Sequence, residues 1–519
     1  VRRPFTSRAT RGLAGTLAAV SALLVGGCGS AAPVARPAVA VPPEVTARPG
    51  TGWPLPGHDY DNSRRALGSG ITAATVHRLV PAWQVPTPGA LTTAVVVVGD
   101  TVYAEDDQSE VVAVDRTTGA VRWRTPPGGF TVGPEGVAVG WGMVDAATPT
   151  GVEALDRRSG RLVWTRRLTT TPTAGVDAQP TVIGHRVLMA TVPVTPAVQY
   201  QGGDQGELVA VDGRTGRIDW AFDTVDSPDV WGNPAVNSGG GAWYPPAVDP
   251  ASGLAYWGTA NPAPFPGTAQ FPNGSSRPGR NLYSDSTVAL DVRTGRLRWY
   301  HQAVAHDLFD QDFVHAMLIP VSRPNLHTVV VGTGKGGQVV GMDPASGRVL
   351  WTQSVGVHEN HGLSALSGPT PVLPGTYGGV LTPPASAGGV AYLAVLNAPT
   401  VLSPDKTAYF GGKIGTMDGD VVAIDAATGS IRWTAHVPGD PTGGATVAND
   451  LVLTATFQGT LMALDRRTGA VVWTTDVGAG VSGWPAVVGN LLVVPTGTVG
   501  GPGRLVAYRL PAAVSRSKG

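Results

Sequence analysis

The stretch VVAVDRTTGAVRW, Val111 to Trp123, decides the fold. Alternating apolar residues run into Asp115, a short polar turn closes on Gly119, and a second strand ends in Trp123. Alternation with a period of two reads as a half-buried strand, and a glycine closing the turn supplies positive φ. The unit recurs as EALDRRSGRLVW ending at Trp164, LVAVDGRTGRIDW at Trp220 and VALDVRTGRLRW at Trp299. It returns as VVGMDPASGRVLW at Trp351, VAIDAATGSIRW at Trp433 and MALDRRTGAVVW at Trp473. In every copy Gly lies four and Trp eight residues beyond the Asp. Each tryptophan is expected to cover the join between neighbouring units as a packing residue.

The tightest spacings, Asp115 to Asp156 and Asp425 to Asp465, are about 40 residues, the length of one four-stranded propeller blade. Wider gaps after Asp212 and Asp343 mark long insertions. RLVAYRLP around Leu505 begins a unit without finishing it, and LVPAWQVPTPG around Trp83 finishes one without beginning it. Joined, they make an eighth blade closed by both termini, which removes exposed sheet edges. The expectation is an all-β, eight-bladed β-propeller over residues 53–510, with a tail over 511–519.

Charged residues make up only 14% of the chain, which carries 71 Gly and 45 Pro, a turn-dense all-β composition. With 37 basic and 37 acidic residues the formal net charge is zero, so there is no electrostatic footprint for nucleic acid. Residues 1–28 read as a targeting segment: Arg2, Arg3, Arg8 and Arg11 precede an apolar run that stops at Cys28. Val25-Gly26-Gly27-Cys28 resembles a bacterial lipobox, with lipidation of Cys28 and a lipid-anchored, extracytoplasmic protein as the implication. An ordinary signal peptide containing a cysteine is the alternative. Arg2-Arg3-Pro4-Phe5 partly resembles a twin-arginine signal, which leaves the export route open. Residues 29–52, rich in Pro and Ala, read as a linker. Cys28 is the only cysteine, so an internal disulfide and a CxxCH haem c attachment are both excluded in this sequence.

The stretch from Trp243 to Asp312 is not explained by the repeat. Trp243 lies outside the repeat's tryptophan position and follows three glycines that would let the backbone approach a flat ligand, core packing being the alternative. Asn261, in GTANP, is either a turn residue capping its own backbone or an amide oxygen for a hard cation. Asp307, Asp310 and Asp312 form an acidic cluster in which strand alternation would put Asp310 and Asp312 on one side. Such a pair shares a cation, raises a pKa or is merely solvated. Lys335, among glycines, either pairs with a buried oxygen or lies at the surface.

Together these residues closely resemble the pyrroloquinoline quinone (PQQ)-dependent alcohol dehydrogenases, quinoproteins built as eight-bladed propellers with tryptophan-docking repeats. The resemblance implies that Trp243, before Asp249-Pro250, is the floor on which the quinone stacks. It implies that Asn261, in GTANPAPF, ligates the metal, with Phe265 where the family has Trp. Asp310, ending HDLFD, would be the catalytic base and a metal ligand, and Lys335 would contact the quinone oxygens. The implied cofactors are PQQ and Ca²⁺ or a lanthanide; the implied partners are an alcohol-type substrate and an external electron acceptor. Asp312 matches the extra aspartate of the lanthanide-using branch.

The pattern is altered in places. Gln201 stands where the family's metal-binding glutamate is expected, and it brings no charge. The arginine expected near the second blade is missing from TVGPEGVAVG, where Glu135 lies, and the family's adjacent-cysteine disulfide is absent. His358, Glu359 and Asn360, with Asn397 further on, are expected to line the cofactor's funnel, loop hydrogen bonding being the bland reading. The leading function is thus extracytoplasmic oxidation of an alcohol. A noncatalytic propeller serving as envelope scaffold, binding or sensor protein is the alternative, and a hydrolase using Asp307 and Asp310 has only paired carboxylates behind it.

Overall fold

The computed structural model describes residues 38–46, 52–131, 133–194, 200–408 and 414–511; Cys28 and its leader lie outside them, as do residues 512–519. Eight four-stranded antiparallel sheets form a β-propeller. Blade 1 spans 96–124, blade 2 137–167, blade 3 181–223 and blade 4 247–302. Blade 5 spans 315–354, blade 6 385–437 and blade 7 446–476. Blade 8 joins three strands within 486–509 to Val80–Thr87, which pairs antiparallel with Gly503–Arg509, so both ends of the chain close the ring. Among the described residues, no helix is long and apolar enough to cross a membrane.

The repeat's sequence pattern has a local cause. In blade 1 the Asp115 carboxylate accepts the amides of Thr117 and Thr118 and the Thr118 hydroxyl, each at 2.9 Å, and Gly119 closes the turn with φ +77°. This is an aspartate-anchored turn, which explains Asp and Thr or Ser at fixed offsets. The turn glycine is also where the preceding blade docks. Trp83 lies on Gly119, Trp123 on Gly160, Trp164 on Gly216 and Trp220 on Gly295; Trp299, Trp351 and Trp433 lie on Gly347, Gly429 and Gly469. In each of these seven joins the indole N–H donates to a carbonyl of the next blade's turn, for example Trp220 to Val292 at 2.9 Å. Trp473 packs into the core shared by blades 7 and 8. The repeat tryptophans are therefore joints between blades.

A second element has no counterpart in the repeat. Trp53 is fully buried and pairs with Val97 in blade 1, and the chain then runs along the innermost strands. The Tyr60 hydroxyl donates to Val182 in blade 3; the carbonyls of Tyr60, Asp61, Ser63 and Arg64 accept the amides of Val248, Leu318, Ser386 and Val447 in blades 4 to 7. Arg65–Ala66 then adds a short parallel strand to Thr446–Ala448. Inner strands expose unpaired edge groups toward the axis, and this plug satisfies them. Its Asn62 amide donates to Pro245 and Ala316, and Arg64 donates to Pro384 with its guanidinium 5.5 Å from the Trp484 ring centroid. Part of the expected linker is also docked: Val39 and Val41 pack on the core of blades 3 and 4, and the Glu44 carboxylate accepts the amides of Trp141 and Gly142. The apolar valines and these paired backbone bonds hold residues that composition alone assigned to a free spacer.

The docking geometry gives a paired prediction. A Cβ on Gly295 (φ +67°) would meet Trp220 at 2.7 Å, whereas a Cβ on Gly99 (φ +61°) would meet nothing within 4 Å. Gly99→Ala should cost only the left-handed strain, about 1 kcal/mol, and Gly295→Ala roughly 1–3 kcal/mol more from overpacking. Thermal unfolding of the two variants should therefore separate them, with the midpoint of Gly295→Ala clearly the lower.

Candidate active site

The inner strand of every blade is the first of its meander, so all eight begin on one face of the ring. Just before the inner strand of blade 4, Ala247–Asp249, comes Trp243, half-buried among Ala94, Tyr244, Ala260, Val314 and Trp484. The glycines before it serve a different purpose from the expected one. Ser238–Gly239 pairs with Pro262–Ala263, Gly240 donates to Asn261, and a Cβ on Gly239 would strike Pro262 at 2.6 Å. The close approach is thus to the chain's own Asn261 segment, which is drawn against the backbone of Gly239 to Gly241.

Asn261 is buried, and its backbone amide donates to Asp312 Oδ1 at 2.7 Å. Its side-chain nitrogen donates to the Pro262 carbonyl and its Oδ1 accepts the Tyr200 hydroxyl at 3.2 Å. One end of the amide thus caps the local backbone, as the turn reading expects, while the other directs its oxygen to Tyr200.

Asp310 and Asp312 converge, though not by strand alternation. Residues 310–312 form no strand, and both aspartates adopt positive φ, +61° and +37°. Asp307 shapes this loop, its carboxylate accepting the Phe309 and Gln311 amides at 2.7 Å each, and so acts as a positioning residue. Buried Arg277 supports it from behind, donating to the Asp307 carbonyl, the Pro264 carbonyl and Asn281. Lys335, in the hairpin after Leu326–Thr333, reaches Asp310 Oδ2 at 2.8 Å and Asp312 Oδ2 at 2.7 Å. Its ammonium lies 4.7 Å from the Trp243 ring centroid, a cation–π distance. Gly334 makes this possible, because a Cβ there would meet the Asp312 carbonyl oxygen at 1.5 Å.

Electrostatics follow from burial. Desolvation pushes the Asp310 carboxyl well above the usual range; Lys335 opposes this and Asp312 adds to it. For Lys335, burial disfavours the charge, but Asp310 and Asp312 outweigh it and hold the ammonium protonated above the ordinary lysine value. One carboxylate escaped the sequence reading altogether: Asp285, fully buried, φ +49°, its amide bonded to the Ala260 carbonyl beside Asn261. The available signal was an acid between two serines at the mouth of a central strand, in YSDSTVAL.

Two expected residues lie in the surrounding loops. Gln201 is exposed, while Asn261 and Asp312 are buried; in this loop it is Tyr200 that reaches Asn261. Asn397 accepts the Val357 amide and donates to Asp420, both at 3.1 Å, bracing the loop that carries His358. Glu359 and Asn360 are exposed, and His358 and His361 contact each other, with Gln311 donating to the His361 carbonyl.

This geometry defines a class, a β-propeller with tryptophan-docked blades and a lysine–aspartate cluster beside an open indole. A family model described as glucose/ethanol/alcohol dehydrogenase, β-propeller domain matches residues 167–352, and one described as outer membrane protein assembly factor BamB matches 74–238 and 417–509. A polyvinylalcohol dehydrogenase of Pseudomonas sp is 27% identical over 347 residues, 59% of this chain and 50% of the relative. Among solved structures, a quinohemoprotein alcohol dehydrogenase of Pseudomonas putida HK5 superposes with TM-score 0.77 at 20% identity, covering 90% of this chain and 81% of that one. A europium-containing methanol dehydrogenase gives 0.75 at 20% identity, over 90% and 99%. The chain is an eight-bladed β-propeller whose residues 167–352 resemble the propeller domain of the PQQ-dependent alcohol dehydrogenases. Its matched region spans about half the length of the curated relatives.

A layer beneath the site offers a pH test. His315 lies against Tyr244, ring centroids 4.4 Å apart, and its Nε2 lies 3.3 Å from the Leu381 carbonyl. Burial, helped by the Arg64 charge, lowers its pKa from 6.5 to about 3. A depressed folded value means that stability is present above pH 6.5 and is lost as pH falls toward and through about 3. In thermal melts across pH 7 to 4, the stability advantage of the wild type over His315→Asn should therefore shrink as pH falls.

Proposed function

We propose that this protein is an extracytoplasmic, PQQ- and metal-dependent oxidoreductase of alcohol-type substrates, with Asp310 as the base. The observation that carries the reading is Lys335 bonded to both Asp310 and Asp312 while lying against Trp243, with Asn261 tied to the same Asp312. The donor set fits a hard cation, since the Asn261 Oδ1 and the Asp310 and Asp312 carboxylates are all oxygens. The half-buried Trp243 face fits a flat ring, and Lys335 would meet its oxygens. Glu135, which precedes the inner strand of blade 2 where the family's arginine is expected, is fully buried, and burial pushes its carboxyl well above the usual range.

When bound, the quinone would supply a two-electron acceptor and the metal a Lewis acid. The chain's own contribution is positional and protonic. Burial and Asp312 make Asp310 a stronger base than a solvated aspartate, and Lys335 keeps it ionised for the hydroxyl proton of the substrate. Lys335 also places positive charge where an oxyanion would develop. Gln201 and Asn397 enter this reading only as residues of the surrounding loops. Electrons would leave to an external acceptor, and Cys28 would anchor the protein to the membrane by lipid after cleavage of the leader.

A noncatalytic envelope propeller is the second reading, favoured by the assembly-factor match. That match leaves out the block from Trp243 to Asp312, which falls entirely under the dehydrogenase match. Reconstitution decides between them. With PQQ and Ca²⁺ or La³⁺ the protein should acquire quinone absorbance and alcohol-dependent dye reduction. Asp310→Asn should keep the absorbance and lose about 10²–10⁴-fold in rate, whereas Trp243→Ala should lose the quinone itself. Absence of quinone binding with either metal would leave the scaffold reading.

A further inference from the structure

The turns that carry the repeat's Asp and Gly all share one face. Each follows the third strand of its blade, and the inner strand starts at the site. In an antiparallel meander these turns therefore lie at the end of the ring away from Trp243 and Lys335. Between their Asp and their Trp the seven units hold fourteen arginines and no lysine; beyond the seven anchoring aspartates they hold one acid, Asp219. Each anchoring aspartate is drawn onto its own turn, as Asp465 is by the amides of Arg467 and Thr468. The arginines point outward: Arg161, Arg214, Arg296, Arg298 and Arg348 are exposed and have no salt bridge among the described residues.

The same turns expose aliphatic side chains. Val121, Leu162, Ile218, Val349, Ile431 and Val471, each two residues past the turn glycine, are between 39% and 50% exposed. Trp141, in the turn joining the first two strands of blade 2, lies on this face as well and is 46% exposed. Guanidinium groups interleaved with exposed apolar ones suit a boundary that is anionic at its surface and apolar beneath. The chain also enters from this side. The Val39 amide donates to the Pro250 carbonyl and the Gly184 amide to the Ala40 carbonyl, both in turns between the first two strands of a blade. Cys28 stands ten residues before Ala38, a span of at most about 35 Å of extended chain.

We propose that this arginine-bearing face docks on an anionic lipid bilayer, which directs the opening beside Trp243 away from the membrane. The proposal extends the lipid-anchored reading of Cys28 and stands apart from the dehydrogenase reading. Arginine pairs with phosphate oxygens through two parallel N–H bonds. Arginines spread over seven blades are met together by an extended surface, not by one free phosphate. Each such attraction is weak and screened by salt, but the attractions add across a surface. A lipid chain and a basic surface together anchor firmly where either alone is marginal. The zero net charge of the whole chain hides this face, because the compensating acids lie elsewhere, in part around Lys335.

The test uses the full chain carrying Cys28→Ser, so that no lipid contributes and the face alone is read. In co-sedimentation at low salt it should bind phosphatidylglycerol vesicles and not phosphatidylcholine vesicles, and about 0.5 M NaCl should release it. Arg161→Glu combined with Arg296→Glu should weaken binding by about 10- to 100-fold at an unchanged melting temperature. Arg280→Glu combined with Lys406→Glu makes the same change of charge on exposed loops between the second and third strands of blades 4 and 6, on the site's face, and should leave binding near the parent value. Equal losses in the two pairs would overturn the proposal, since net charge rather than a face would be responsible. Equal binding to phosphatidylcholine would overturn it too. So would capture by heparin without binding to phosphatidylglycerol, which would give the face to an anionic polymer. The mass of the wild-type chain extracted from membranes reports separately on Cys28: an unlipidated chain whose face still binds phosphatidylglycerol would sink the anchor reading and leave this one standing.

Discussion

The contact on which the structure depends is an indole laid on a glycine. Seven times a tryptophan at the end of one blade rests on a left-handed glycine in the next blade's turn and donates its N–H to that turn. Each such bond contributes about 1 kcal/mol beyond the burial of the ring. More important than its energy is its geometry, because a contact that admits no Cβ fixes one blade's position against the next. Repeated around the ring, it brings the starts of the inner strands to one place, which is why residues as distant as Trp243, Asp312 and Lys335 meet.

The site so assembled holds together by a tension between burial and charge. Water is kept from Asp310, Asp312 and Lys335, so each charge persists only through the others. Removing Lys335 leaves two buried carboxylates facing each other without their shared cation. The same tension makes the cluster chemically useful, since a carboxylate raised by burial and held ionised by an ammonium is poised to accept a proton.

The fold was legible because its determinant is local and periodic. Asp, Gly and Trp at fixed offsets state the turn, the joint and the blade length, and the incomplete units near Trp83 and Leu505 state the closure. The plug was illegible for the opposite reason: Tyr60 to Ala66 has no repeat and acquires its bonds only from strands far along the chain. Within the site, Asp310 and Asp312 do converge as the sequence led one to expect, but through a left-handed loop rather than an extended strand. Gln201 and Asn397 were chosen by position in a pattern, whereas exposure at Gln201 and the Asn397 bonds to Val357 and Asp420 are set by loop packing that position does not encode. Asp285 was passed over because nothing in a single sequence shows that a serine-flanked acid will be sealed from water.

The plug also bears on how the protein is built. Residues 53–66 precede every blade they contact, and Arg64 is 320 residues away from its partner at Pro384. These are among the most non-local contacts in the chain, and such contacts form late. During synthesis the plug emerges before any blade exists to receive it, and its hydrogen bonds can be completed only as blades 4 to 7 arrive. The propeller thus closes around a strand that has been waiting at its centre, and the axis is filled as the ring is made rather than afterwards.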